Sequence, residues 1–196
     1  MLLFLWQKLF LSGADEEALC RQFGLIPREL LLSITSYWGL MPHNMLTVFT
    51  SMFLHGGTLH LIGNMLYLWI FGGNVEDAVG RKRFLFFYIL SGIAAALFQF
   101  SYDPSSETPM IGASGAVSGI LGAYLVLFPL ARVKTILVII VFIKIVEVPA
   151  ILLLTVWFLM QIFLPYNAGV AWYAHIGGFI FGLIFVKIFT LKKRRK

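Results

Sequence analysis

Ser114, within Gly112-Ala113-Ser114-Gly115, and His175, within Ala174-His175-Ile176-Gly177-Gly178, set a hydroxyl and an imidazole inside apolar runs. Polar groups in such surroundings are costly to bury and tend to mark function, and a serine beside a histidine is the arrangement of an activated nucleophile. His60 and Asn64 form a second pair, four residues apart and hence on one helix face. An imidazole and an amide placed there can both donate to an oxyanion. Pro109 and Gly112 put Ser114 at a helix start, where backbone N–H groups lack carbonyl partners, so its own N–H is a further donor. Each residue also has a plainer reading. Ser114, Ser118 and the nearby glycines make a small-residue packing seam, and a lone membrane histidine commonly bridges helices; the two motifs occurring together favour chemistry. His43 and His55 read as loop residues, and Glu76 and Asp77 as helix-end residues.

The elements that must position these groups are apolar. Of 196 residues 60% are hydrophobic and 12% charged, with a mean hydropathy of +0.89, which points to an integral membrane protein. The net charge of +6 sits in short clusters at the ends of apolar runs, an orientation signal and not a nucleic-acid surface. The single cysteine, Cys20, supports neither an internal disulfide nor a metal site. Candidate spans of about 20 residues fall at roughly 58–78, 84–102, 113–130, 149–165 and 171–190. Met1–Leu11 would make a sixth, but it reaches only about halfway across at ~1.5 Å per residue, so a truncated first helix is expected; Lys8 and the acidic Asp15-Glu16-Glu17 argue against a cleavable signal peptide. Residues 132–148, β-branched, interrupted by Lys144 and Glu147 and followed by Pro149, read as an interfacial hairpin or strand. The first loop, roughly 12–57, is expected to fold back as a partly embedded cap, with Pro27-Arg28-Glu29 starting a helix.

Arg81-Lys82-Arg83, the pair Arg132 and Lys134, and Lys192-Lys193-Arg194-Arg195-Lys196 follow alternate spans. The positive-inside rule puts all three on the cytoplasmic side, with both termini. Residues 1–190 thus read as one membrane domain and 191–196 as a basic cytoplasmic tail. No internal repeat of the transporter kind is visible, and Lys144 and Glu147 are the only charged candidates for a transport path. A His-Glu-x-x-His metal motif is lacking, and Asp77 and Asp103 fall at span ends, unlike the paired aspartates of an intramembrane aspartyl protease.

With these motifs in view, the chain resembles the rhomboid family of intramembrane serine proteases. The resemblance rests on His55-Gly56-Gly57-Thr58-Leu59-His60-Leu61-Ile62-Gly63-Asn64, Gly72-Gly73-Asn74-Val75-Glu76-Asp77, Gly112-Ala113-Ser114-Gly115, and Ala174-His175-Ile176-Gly177-Gly178 with Gly182, in that order. It implies an all-α bundle of six transmembrane helices with Ser114 as nucleophile, His175 as general base, and His60, Asn64 and the Ser114 N–H as oxyanion donors, with no acidic third member. Two positions depart from patterns seen in the family: Ser118 stands where some members have a tyrosine beneath the histidine, and Leu46-Thr47 where many have Trp-Arg.

The resemblance further implies hydrolysis of peptide bonds in or near transmembrane segments of single-span membrane proteins, in the lipid bilayer, without cofactor or metal. The expected setting is a bacterial cytoplasmic membrane, with the dyad below the external surface and Pro165-Tyr166-Asn167-Ala168-Gly169 as a lid beside the fifth span. The competing reading is a catalytically silent rhomboid-like protein that binds membrane clients.

Overall fold

The structure, a computed structural model, describes residues 2–139, 142–163 and 170–190. The expected lid at 165–169 and the basic tail at 191–196 lie outside the described residues. The chain is mainly helical. α1 (Leu2–Phe10) leads into α2 (Gly13–Phe23), which Ser12 opens with a capping box: the Asp15 N–H donates to Ser12 Oγ, and the Ser12 N–H donates back to the Asp15 carboxylate. The Ser12 side chain and backbone together hold that carboxyl below the usual carboxylate range. α3 (Pro27–Thr35) and α4 (Met41–Thr50) complete the region expected to be a cap, each with proline in its first turn, where the missing N–H costs nothing. His43, expected in a loop, is an exposed residue of α4, which also carries Leu46 and Thr47.

α5 (Thr58–Val79) and α6 (Arg81–Tyr102) are separated by Gly80 alone. Its φ of 87° is a backbone setting that side chains disfavour, and it lets one residue reverse the chain. α7 (Ser114–Leu127), α8 (Ala150–Phe163) and α9 (Trp172–Phe189) follow. Between α7 and α8 lies an antiparallel hairpin, β1 (Arg132–Ile139) and β2 (Phe142–Pro149), with Lys134 opposite Glu147 and Arg132 opposite Pro149. The all-α expectation is therefore corrected by this one hairpin, which its β-branched run favours.

Two described helices are long and apolar enough to cross a membrane, Arg81–Tyr102 and Trp172–Phe189. A third span results if Trp38–Phe53 and Thr58–Val79, bent by 79° to each other, count as one. α7 is apolar but has 14 residues, about 21 Å at 1.5 Å per residue against a hydrocarbon core of about 30 Å, and α8 is described over 14 apolar residues. Asn64, Asn74, Glu76 and Asp77 dilute the hydropathy of α5. Among the described residues, helix length and composition thus support two or three of the six predicted spans.

α7 is the central helix: its residues from Gly115 to Tyr124 are all buried. Its contact with α9 is the most extensive between helices, and it depends on glycine. A methyl group on Gly178 or Gly182 would collide with the carbonyl oxygen of Gly115 or Gly119, and one on Gly122 with that of Phe179. Backbone lies against backbone along this seam, as small residues in membrane helices permit. Away from it, Phe71, Val75, Phe87, Ile120, Leu154, Phe179 and Val186 fill the main core, while Leu25, Leu30, Val48 and Ala96 form a second cluster beneath α3 and α4.

Candidate active site

The seam fixes where Ser114 and His175 meet. Ser114 is the first residue of α7 and His175 lies in the first turn of α9. With α7 and α9 in backbone contact, the two side chains approach to 2.9 Å between Ser114 Oγ and His175 Nε2. The first N–H groups of α7, Ser114's among them, have no carbonyl one turn earlier within the helix.

The loop before α7 is tied down from several directions. Leu25 and Met110 exchange backbone hydrogen bonds of 3.1 and 2.8 Å, the Arg28 N–H donates to the Ser106 carbonyl at 3.0 Å, and the Gly112 N–H donates to the Ser51 carbonyl at 2.9 Å. Arg28 also pairs with Glu107. Gly112 has a φ of 122°, and a Cβ there would sit 2.6 Å from His60 Nε2. Glycine is thus required twice over, for its backbone angle and for the imidazole against it.

A cavity of about 710 Å³ opens at this point, and Ser114, His175, His60 and Asn64 all line it. The four residues singled out from sequence are therefore brought to one place. Asn64 is 7% exposed, and its Nδ2 has no hydrogen-bond partner among the described residues. A buried amide N–H left unpaired is costly, and an anion arriving in the cavity would relieve that cost. His60 is half-buried, with its ring 5.3 Å from that of His55. His55, expected to support the loop, is buried with its ring between those of Phe4 and His60.

Sequence reading passed over two glutamines. Gln99 on α6 accepts the Ala174 N–H through Oε1 at 3.2 Å, tying α6 to the turn that carries His175. Gln161 on α8, 9% exposed, stands 2.9 Å from His175 Nδ1 through Oε1, and its Nε2 donates to the Trp157 carbonyl at 3.2 Å. The signal was present: apart from Thr155, Gln161 is the only polar side chain in α8, and an amide in an apolar helix invites the question of what it bonds. Where some rhomboids have tyrosine, Ser118 is buried and turns inward, its hydroxyl donating to the Ser114 carbonyl at 2.7 Å. Aromatic walls for His175 come instead from Trp157, with ring centroids 6.4 Å apart, and from Trp172, edge-on at 5.9 Å. Among the described residues, no three His, Cys, Asp or Glu side chains gather closely enough to hold a metal ion.

The chain matches the Rhomboid domain over residues 42–192. It is 37% identical over 92 residues to "Rhomboid protein 1, mitochondrial" of Saccharomyces cerevisiae, a stretch covering 45% of this chain and 27% of that protein. It is 43% identical over 76 residues to "Rhomboid protease GluP" of Bacillus subtilis, covering 39% of this chain and 14% of the relative. Over 105 residues it is 36% identical to "Rhomboid protease AarA" of Providencia stuartii, covering 47% and 35%. The matched part is therefore well under half the length of each of these relatives. The chain belongs to the rhomboid family. That family is membrane-integral and includes intramembrane proteases, together with members that lack protease activity.

Proposed function

We propose that this chain is an intramembrane serine endopeptidase that cuts peptide bonds in or near transmembrane segments of single-span membrane proteins through a Ser114–His175 dyad. The observation that carries this reading is the 2.9 Å contact between Ser114 Oγ and His175 Nε2 on the wall of a cavity that also presents the unpartnered Asn64 Nδ2. His175 Nε2 accepts the hydroxyl proton as Ser114 Oγ attacks the scissile carbonyl carbon. Asn64 Nδ2, His60 and the Ser114 N–H donate to the oxyanion of the tetrahedral intermediate. The intermediate collapses as the C–N bond breaks and His175 returns the proton to the leaving amine. Water then attacks the acyl ester, with His175 again accepting and returning a proton, and the new carboxyl end is released.

A helical substrate shields its carbonyls by hydrogen bonding, so small or helix-destabilising residues near the cut favour cleavage. The reading sets the dyad below the external face of a bacterial cytoplasmic membrane, with the C-terminus cytoplasmic, and needs no cofactor. Arg81-Lys82-Arg83 and the basic hairpin residues Arg132 and Lys134 follow alternate candidate spans, which supports that orientation.

The test compares cleavage of a single-span substrate by the purified chain and by Ser114→Ala and His175→Ala, all with matched thermal unfolding. Each substitution is expected to lower turnover at least about 10³-fold. Undiminished cleavage in both variants would discard the dyad. A well-folded parent that binds the substrate and never cuts it would support client binding instead.

A further inference from the structure

We propose that Gln161 is a positioning residue that fixes the tautomer and orientation of His175. The inference rests on the Ser114–His175 reading and adds a third member that sequence motifs do not reveal. It follows from which atoms can donate. The Trp157 carbonyl can only accept, so the Gln161 group that faces it at 3.2 Å is the NH₂. The amide's other atom, Oε1, is thereby turned to His175 Nδ1 at 2.9 Å. A carbonyl oxygen cannot donate, so in the neutral imidazole Nδ1 carries the proton. Nε2 is then left with its lone pair toward the Ser114 hydroxyl, the form a general base must take. The opposite tautomer would set the Nδ1 lone pair against Oε1 and the Nε2 proton against Ser114.

Burial gives this relay its force. Gln161 is nine-tenths buried on a helix otherwise almost wholly apolar, so few competing partners are available to either end of the amide. Trp157 contributes twice, holding the amide through its carbonyl and walling the imidazole with its ring. In many serine hydrolases a carboxylate orients the histidine; here a neutral amide holds the same nitrogen without burying a charge.

Two variants separate positioning from packing. Gln161→Met keeps the length and bulk of the side chain but removes the acceptor. Gln161→Glu keeps an acceptor and adds charge. With a single-span substrate, Gln161→Met is expected to lower kcat about 10- to 100-fold, a part of the roughly 10²- to 10⁴-fold that a positioned general base contributes, with KM within about twofold. Long-range ¹H–¹⁵N NMR of the histidine-labelled chain in detergent should show Nδ1–H at His175 in the parent and lose that pattern in Gln161→Met. Gln161→Glu should recover most of kcat near neutral pH and move the acidic limb of the kcat profile to higher pH, because a carboxylate beside the ring favours its charged form. His60 and Asp103 line the same cavity in every variant, so a displaced limb reports position 161.

Parent-like tautomer and kcat in Gln161→Met would overturn the proposal. An unmoved acidic limb in Gln161→Glu would do so as well, and this second arm decides if the methionine variant fails to fold. Failure of the protease reading is separable: it would show as cleavage surviving in Ser114→Ala, whatever the tautomer.

Discussion

The two attachments of His175 contrast sharply. On one side α9 lies against α7 through glycines, carbonyl oxygen against Cα, with no room for a methyl group. On the other, α8 meets α9 through side chains: Leu154 and Phe158 in the core, Trp157 against the imidazole, and Gln161 on its Nδ1. The first contact sets the distance between Ser114 and His175 and has almost no freedom to adjust. The second sets the rotation of the ring and depends on a helix whose faces are largely exposed, with Ile151, Leu152, Val156, Leu159 and Met160 pointing outward. Separation is thus held by backbone and orientation by side chains, which predicts different responses to substitution in the two places.

The seam should break first and hardest. Gly178→Val drives a branched side chain into the Gly115 carbonyl, and neither backbone can retreat without parting the helices. We expect a loss of about 3 kcal/mol and loss of cleavage together, read by thermal unfolding in detergent beside the substrate assay; parent-like stability would show that the seam is looser than its geometry. On α8, Leu154→Ala empties a fully buried site and should cost about 2 kcal/mol, felt mainly locally. Amide hydrogen exchange should quicken in α8 and stay slow in α7 and α9, and uniform acceleration of all three would erase the contrast. Ser118→Ala should change least. It removes one hydroxyl bonded within its own helix, worth about 1 kcal/mol or less, and cleavage should stay within about twofold of the parent. A large effect there would move the serine from bystander to part of the seam.

Much of the site was legible in the chain because membrane-like surroundings make polar residues conspicuous. Ser114, His175, His60 and Asn64 stood out in apolar runs, and the glycines around them announced close packing. By the same logic Gln161 was visible, yet no short motif surrounds it, and its partner lies 14 residues on in another helix. The aromatic support from Trp157 was hidden for a related reason: it needs α8 to be placed before a tryptophan can be set beside a histidine. The hairpin was readable from its β-branched run ending at Pro149. In the first region the opening helix and the helix start at Pro27 were readable as well, whereas α2 and α4 were not, since no apolar run marks α2 and α4 falls within what reads as a loop. Of the six spans expected, length and composition support two or three among the described residues, because an apolar run does not by itself fix crossing length, as the 14 residues of α7 show.

The bonds from Leu25, Arg28 and Ser51 to the loop before α7 bear on the order in which the molecule is built. Each joins the segment that presents Ser114 to residues made long before it, and the histidine comes from the last helix described. Closing such long loops is entropically expensive and slow compared with forming single helices. Helices therefore form ahead of the cavity, and Ser114 meets His175 only when the first region has docked and the final helix has arrived. A chain still under construction carries a hydroxyl and no partner to activate it, so the peptide-cutting potential proposed here stays dormant until assembly is complete.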